Sequence, residues 1–188
     1  MIYMGIDPGL NGAIAVINRD GSVLEVNDMP VQEIASDGKK KRRIDIRSLS
    51  VLFQNILLRY PGAIISAGME QVHAFPDRKN KDGTMTRGQG VTSAFAFGRG
   101  YGNLEQALVD FQIGFTEISP VRWKKAMLGD MPKGKGAALY RARQLFPSAD
   151  LRLAKHEGRA EALLIAEFQR RTNPTTYMKE EENAPSLF

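Results

Sequence analysis

Ile2-Tyr3-Met4-Gly5-Ile6-Asp7-Pro8-Gly9 is the stretch on which the fold turns. The run from Ile2 to Ile6 is apolar and lacks any turn former except one glycine, so it predicts a strand; Asp7-Pro8-Gly9 then stops it abruptly. Two β-branched runs follow, Ala13 to Ile17 and Val23 to Val26. Asn18-Arg19-Asp20-Gly21 separates them, a hairpin signal centred on Asp-Gly. A three-stranded antiparallel meander results, with Asp7 at the point where the first, buried strand leaves the sheet.

Outward from this meander, helix and strand signals alternate. Ser36-Asp37-Gly38-Lys39-Lys40-Lys41-Arg42-Arg43 is polar throughout and is expected to be an exposed loop. Ile46, Leu49, Leu52, Phe53, Ile56 and Leu57 recur at three and four, which predicts an amphipathic helix from Ile46 to Tyr60, closed by Pro61-Gly62. Ala63 to Met69 is a nearly continuous apolar run ending at Glu70, the pattern of a central strand buried on both faces. Residues 74 to 90 read as a long loop, a length that is usually functional. A glycine-rich helix from Val91 to Asp110 and a strand from Phe111 to Ile118 come next. Helices are then expected from Ser119-Pro120 through Leu128, from Ala137 to Phe146, and from Gly158 to Arg171. The fold class is therefore α/β: a mixed five-stranded sheet, antiparallel meander then parallel strands, flanked by helices. Residues 1–171 form one domain in this reading, and residues 172–188, with two prolines and Lys179-Glu180-Glu181-Glu182, form a flexible C-terminal tail.

Composition narrows the chemistry. At 188 residues and 43% hydrophobic, the chain suits one domain with a sizeable core. Lys plus Arg number 26 against 21 Asp plus Glu, a net charge of +5, which favours an anionic partner such as nucleic acid. The absence of cysteine excludes disulfides, zinc–thiolate sites and a thiol nucleophile, and only His73 and His156 could contribute imidazole. No apolar run approaches the roughly 18 residues of a membrane span, and the N-terminus shows no basic segment before an apolar stretch. A protein of the cytoplasm is expected, with no membrane partner.

Four acids stand out. A turn-forming aspartate would account for Asp7 alone, but Glu70 occupies the same kind of place at the end of a second buried strand, where a carboxylate is costly without a partner or a cation. If the two strands are neighbours, both carboxylates meet at one edge of the sheet. At about 100° per residue, Glu161 shares the face of Leu164, Ile165 and Phe168, and Glu157 lies within about 40° of it. For Glu157 an exposed first-turn acid favoured by the helix dipole is the competing account. Acids converging in this way would repel one another unless a divalent cation sat among them, and an all-oxygen donor set suits Mg²⁺ or Mn²⁺.

Gly5-Ile6-Asp7-Pro8-Gly9, Met69-Glu70-Gln71-Val72 and Arg159-Ala160-Glu161-Ala162-Leu163, in that order, resemble the RuvC-type Holliday-junction resolvases, especially the compact bacteriophage branch. Each motif is short; the ordered set, spanning residue 2 to about 170, carries the specificity. The resemblance implies a ribonuclease H-like fold, a homodimer, and cleavage of four-way DNA junctions with two divalent ions per active site. It implies an enzyme of the bacterial cytoplasm or nucleoid, phage-encoded if the compact branch is its origin. Asp7, Glu70 and Glu161 match three of the family's four acidic ligands, and the usual fourth position is Gly158. Glu157 is the expected replacement and His156 its rival. His73 falls where the family's wedge aromatic stands, with Phe75 as second candidate, and Lys124 and Lys135 fall near its catalytic or phosphate-contacting lysines. Lys39, Lys40, Lys41, Arg42 and Arg43, with Arg78, Lys79, Lys81 and Arg87, are expected to line the DNA backbone. The helix from Val91, with Phe95, Phe97 and Tyr101, is the expected dimer interface.

Three other readings compete. A sugar-kinase or actin-like ATPase also ends its first strand in Asp, but its duplicated domain needs more than 188 residues. A branched-DNA-binding module without catalysis, and a ribonuclease H-like nuclease acting on flaps or RNA–DNA hybrids, are the alternatives that a cleavage assay separates.

Overall fold

The computed structural model describes residues 1–173 apart from Asp37, Phe75, Pro76, Lys81, Lys133 and Lys135; the side chains of Ser36, Lys39 and Arg78 are also outside the description. The expected positions at Phe75, Lys81 and Lys135, and the tail beyond residue 173, therefore lie outside the described residues.

Strand β1 (Ile2–Ile6) is flanked by β2 (Ala13–Asn18), which pairs with it antiparallel, and β2 pairs antiparallel with β3 (Val23–Asp28). These three strands are the meander. On its other side β1 pairs in parallel with β6 (Ile65–Glu70), which pairs in parallel with β9 (Gly114–Ile118). The order β3-β2-β1-β6-β9 makes β1 the centre of a five-stranded mixed sheet.

Both faces of the sheet are covered, and period-two alternation decides which residues go where. Ile2, Met4 and Ile6 point to a core built with Leu49, Phe53 and Ile56 of α1 (Ile46–Arg59) and Leu104 and Leu108 of α2 (Val91–Asp110). Asp45 caps α1, its carboxylate accepting from the Arg47 and Ser48 N–H groups. Tyr3, Ala13, Ala15 and Ile17 face the opposite core, with Trp123 of α3 (Pro120–Leu128), Leu139 and Ala142 of α4 (Ala137–Leu145), and the apolar body of α5 (Glu157–Thr172). A 3₁₀ turn over Ala154–His156 leads into α5.

Helix α5 is buried nearly all round from Ala162 to Gln169, not along one stripe, because the sheet lies on one side of it and α3 and α4 on the other. Its buried polar residues are partnered: Glu167 accepts from Arg170 and Arg171, and Gln169 donates to Ser66 at 3.0 Å.

One element corrects the sequence reading. The stretch read as a loop over residues 36–43 forms most of a hairpin, β4 (Val31–Ser36) with β5 (Lys39–Ile44). Charge hides the strand pattern, and one acid of β4 serves two of the cations: Lys40 pairs diagonally with Glu33 at 3.0 Å, and Arg42 registers directly against Glu33. Gly38, at φ +70°, supplies the turn, and buried Ile44 ties the hairpin to α2. The long loop over 74–90 likewise contains a short antiparallel pair, β7 (Arg78–Lys79) and β8 (Met85–Thr86).

Candidate metal centre

The parallel register of β1 on β6 sets the site. Ile6 stands opposite Met69, so the next residues, Asp7 and Glu70, leave the sheet side by side at its C-terminal edge. Sheet parity sends both towards the α5 face. There α5 presents Glu161 one turn from its start, and one carboxylate oxygen from each of Asp7, Glu70 and Glu161 lies within 4.8 Å of the others.

Close backbone approach makes this convergence possible. A Cβ added at Gly5 would stand 2.0 Å from the Ala162 carbonyl oxygen and 2.3 Å from the Ala166 nitrogen. At Gly12 it would stand 2.8 Å from the Asp7 Cγ, so the loop can fold back over Asp7 only without a side chain there. Asp7 also accepts the Gly9 N–H at 3.2 Å, which orients its carboxylate. Gly158, the position the resemblance gives to the usual fourth ligand, has the same role: its Cβ would meet the Asn11 carbonyl oxygen at 2.1 Å. This position is packed against backbone and has no room for a ligating side chain. We expect Gly158→Asp to unseat the start of α5, costing about 2–3 kcal/mol; a melting temperature within 2 °C of the parent would contradict this packing.

Among the described residues, Lys124 of α3 is the cation of the cluster. Its Nζ lies 3.1 Å from Glu161 and 3.9 Å from Glu70, and 5.0 Å from the centre of the Trp123 ring. Burial alone would lower its pKa, but Glu161, Glu70 and Asp7 outweigh burial and raise it, so Lys124 stays charged. A single ammonium does not balance three carboxylates. Burial, then the neighbouring Glu161, pushes Asp7 up to about 6. Burial pushes Glu70 up to about 7, with Lys124 opposing and Glu161 and Asp7 adding to the rise.

These shifts predict a pH dependence. A carboxyl with a raised folded pKa binds its proton more tightly folded than unfolded, so its contribution favours the fold at low pH and is lost as pH rises through the folded value. The window runs from the ordinary values, 3.8 and 4.5, to about 6 for Asp7 and about 7 for Glu70. Chelator-treated protein is expected to lose a few kcal/mol of stability between about pH 4 and 7, measured by urea denaturation. Stability flat or rising across that window would contradict the electrostatics of the cluster.

The other expected site residues are dispersed. Glu157, the first residue of α5, is outside the three-acid group, and its Oε1 accepts the Gly136 N–H at 3.2 Å. His156 is buried with Nδ1 unpartnered, and its electrostatic neighbours are Asp28 and Asp150, the two acids that also pair with Arg159. His73, Lys79 and Arg87 are exposed on the connection between β6 and α2. Lys40, Lys41, Arg42 and Arg43 lie on β5. Arg42 reaches the site loop, donating to Asn11 Oδ1 at 2.9 Å and to the Leu10 carbonyl at 3.0 Å. Tyr101 donates to Glu117 at 2.5 Å and packs on the core, whereas Phe95 is exposed.

Sequence reasoning missed Trp123. It is fully buried beside the acids, and its indole N–H lies near enough to Glu70 to lower that pKa while completing no hydrogen bond. Its place immediately before Lys124 in a helix was the available signal.

The sequence matches no protein-family model and no curated protein. Among solved structures, Thermus thermophilus RuvC in complex with a Holliday junction substrate is similar at a TM-score of 0.59 and 18% identity, over 92% of this chain and 96% of that one. A second Thermus thermophilus RuvC structure aligns at a TM-score of 0.49 and 17% identity, over 88% of this chain and 91% of that one. The architecture is the RuvC-type, ribonuclease H-like fold. Among the described residues, no helix is long and apolar enough to cross a membrane.

Proposed function

We propose that this chain is a divalent-metal-dependent endodeoxyribonuclease that cleaves branched DNA, four-way junctions first, and belongs to the compact bacteriophage-like branch of RuvC-type resolvases. The observation that carries the reading is the convergence of Asp7, Glu70 and Glu161 at one edge of a RuvC-type sheet. Three hard carboxylates, with no sulfur ligand nearby and an unbalanced negative charge, fit Mg²⁺ or Mn²⁺. Two bound ions would supply a water of lowered pKa and a counter-charge for the leaving 3′ oxygen.

The residues divide the remaining work. Asp7 and Glu70 stand on strand ends and Glu161 on a helix wedged against β1, so the donor frame is rigid. Lys124 screens the acids and can offer its ammonium to a phosphate oxygen; Lys135 would add a second cation. Arg43, Lys79 and Arg87, with the rest of both basic runs, would follow the DNA backbone, where phosphate contacts position the duplex. His73, with Phe75, would stack on a base at the branch. Symmetric incision of a junction needs two sites, hence a homodimer, with the exposed Val91 at the start of α2 as its proposed contact.

Glu157 is the proposed fourth ligand. At about 40° from Glu161 it shares the ligand's side of α5, whereas His156 belongs to the 3₁₀ turn before α5 and is buried beside Asp28 and Asp150. Glu157→Gln is expected to lower Mg²⁺-dependent activity at least about tenfold and His156→Ala to retain most of it. The reverse pattern would transfer the role to His156.

The test incubates the protein with labelled four-way, three-way, flap, RNA–DNA hybrid and linear substrates in Mg²⁺ or Mn²⁺. Paired nicks near the branch of the four-way junction are expected. Cleavage confined to flaps or hybrids would assign another nuclease specificity, and binding without cleavage in either metal would make the chain a binding module.

A further inference from the structure

A cavity of about 270 Å³ lies between the β4–β5 hairpin and the first half of α2. It begins at Pro8, immediately after Asp7, so it adjoins the acid cluster without sharing a ligand. Leu10, Ile34, Phe95 and Phe97 make its apolar walls. Arg42, Arg43 and Arg99 stand around it, and among the described residues no Asp or Glu lines it. Arg42 is held by Asn11 and Leu10, whereas Arg43 and Arg99 have no ion-pair partner among the described residues.

We infer that this cavity receives one unstacked nucleotide of the DNA substrate, its base between the apolar walls and its phosphate at the arginines. The inference rests on the reading of the chain as a branched-DNA nuclease and adds to it a site that reads a base. Three features favour this occupant. A flat aromatic ring suits walls that include two phenylalanines, since every base has a face on which to stack. The Gln89 and Asn103 amides offer paired donors and acceptors to a base edge. The arginines complement a phosphate, to which a guanidinium donates through two parallel N–H groups. Extruding a base is least costly where pairing is already interrupted, as at a branch point.

Because Arg42 bridges the hairpin to the Leu10–Asn11 turn, a filled cavity would also set where the backbone enters beside Asp7. The captured base would thus decide which phosphodiester is presented to the acids.

The test uses the full chain in EDTA, with four-way junctions carrying 2-aminopurine at each nucleotide flanking the branch. One position is expected to change emission on binding, as a base leaving the stack does. Ala96 is exposed on the cavity-facing side of α2, so Ala96→Phe fills the space without disturbing the core. It should abolish that change and weaken junction binding about tenfold, with linear-duplex binding unchanged. Arg99→Gln should weaken junction binding in the same direction without altering the melting temperature.

Junction binding with no emission change at any position, or with the same change in Ala96→Phe, would overturn the inference and leave the nuclease reading intact. Conversion of a dimer to a monomer by Ala96→Phe would place a second copy in the cavity and overturn it too. A parent protein that neither binds nor cleaves any branched substrate would remove the nuclease reading itself.

Discussion

Asp7→Asn is expected to reduce Mg²⁺-dependent cleavage by at least about 10³-fold, to leave junction binding intact, and to raise the melting temperature of chelator-treated protein. The parts of this prediction have one cause. Asp7, Glu70 and Glu161 are held within 4.8 Å with Lys124 beside them, and burial first, with repulsion among the acids added to it, lifts Asp7 to about 6 and Glu70 to about 7 in the metal-free site. An amide at Asp7 removes one charge while its oxygen can still accept from the Gly9 N–H. Glu70→Gln should behave in the same way. Cleavage within tenfold of the parent would remove Asp7 from the metal centre. Cleavage lost together with a lower metal-free melting temperature would mean that Asp7 supports the loop more than it strains the site. DNA binding should persist because none of the proposed DNA-contacting cations is removed, and a less negative site repels phosphate less.

Gly5→Ala is expected to have the largest effect on folding, more than about 3 kcal/mol. The added methyl would meet backbone, the Ala162 carbonyl and the Ala166 nitrogen, and backbone cannot swing aside as the end of a flexible side chain can. The only accommodation is to lift α5 from β1, which breaks a principal contact of the core and carries Glu161 away from Asp7. Circular dichroism and thermal melting would measure the loss. A variant that folds with a melting temperature near the parent's and cleaves normally would show that α5 is not seated as described. Both substitutions abolish activity, but for opposite reasons: Asp7→Asn with the fold strengthened, Gly5→Ala with it lost.

Much of the fold was legible because local pattern and tertiary environment agreed. The expected β1 and α2 match the observed elements residue for residue, and α1 ends one residue earlier than read. Asp7 and Glu70 could be singled out because each follows an uninterrupted apolar strand, a context that makes a carboxylate expensive. Glu161 could be singled out from helical phase. The hairpin β4–β5 was illegible because its strand signal lies in cross-strand pairing, Lys40 with Glu33 and Arg42 opposite the same acid, not in alternation along one strand.

By itself, then, the sequence determined the meander, the α/β order and the three acids, since each rests on neighbours within a few residues. Tertiary structure alone decided the rest. It decided that β1 and β6 lie side by side, which turns two separate carboxylates into a pair, because strand adjacency depends on packing between segments some 60 residues apart. It decided that Gly5, Gly12 and Gly158 are contact points between backbones, because an absent side chain gives no signal until something approaches it. It also seated Glu157 against Gly136 and buried His156 away from the acids. Helical phase fixes a direction around one axis, whereas a ligand set is fixed by distances between elements, and only the packed molecule has those distances.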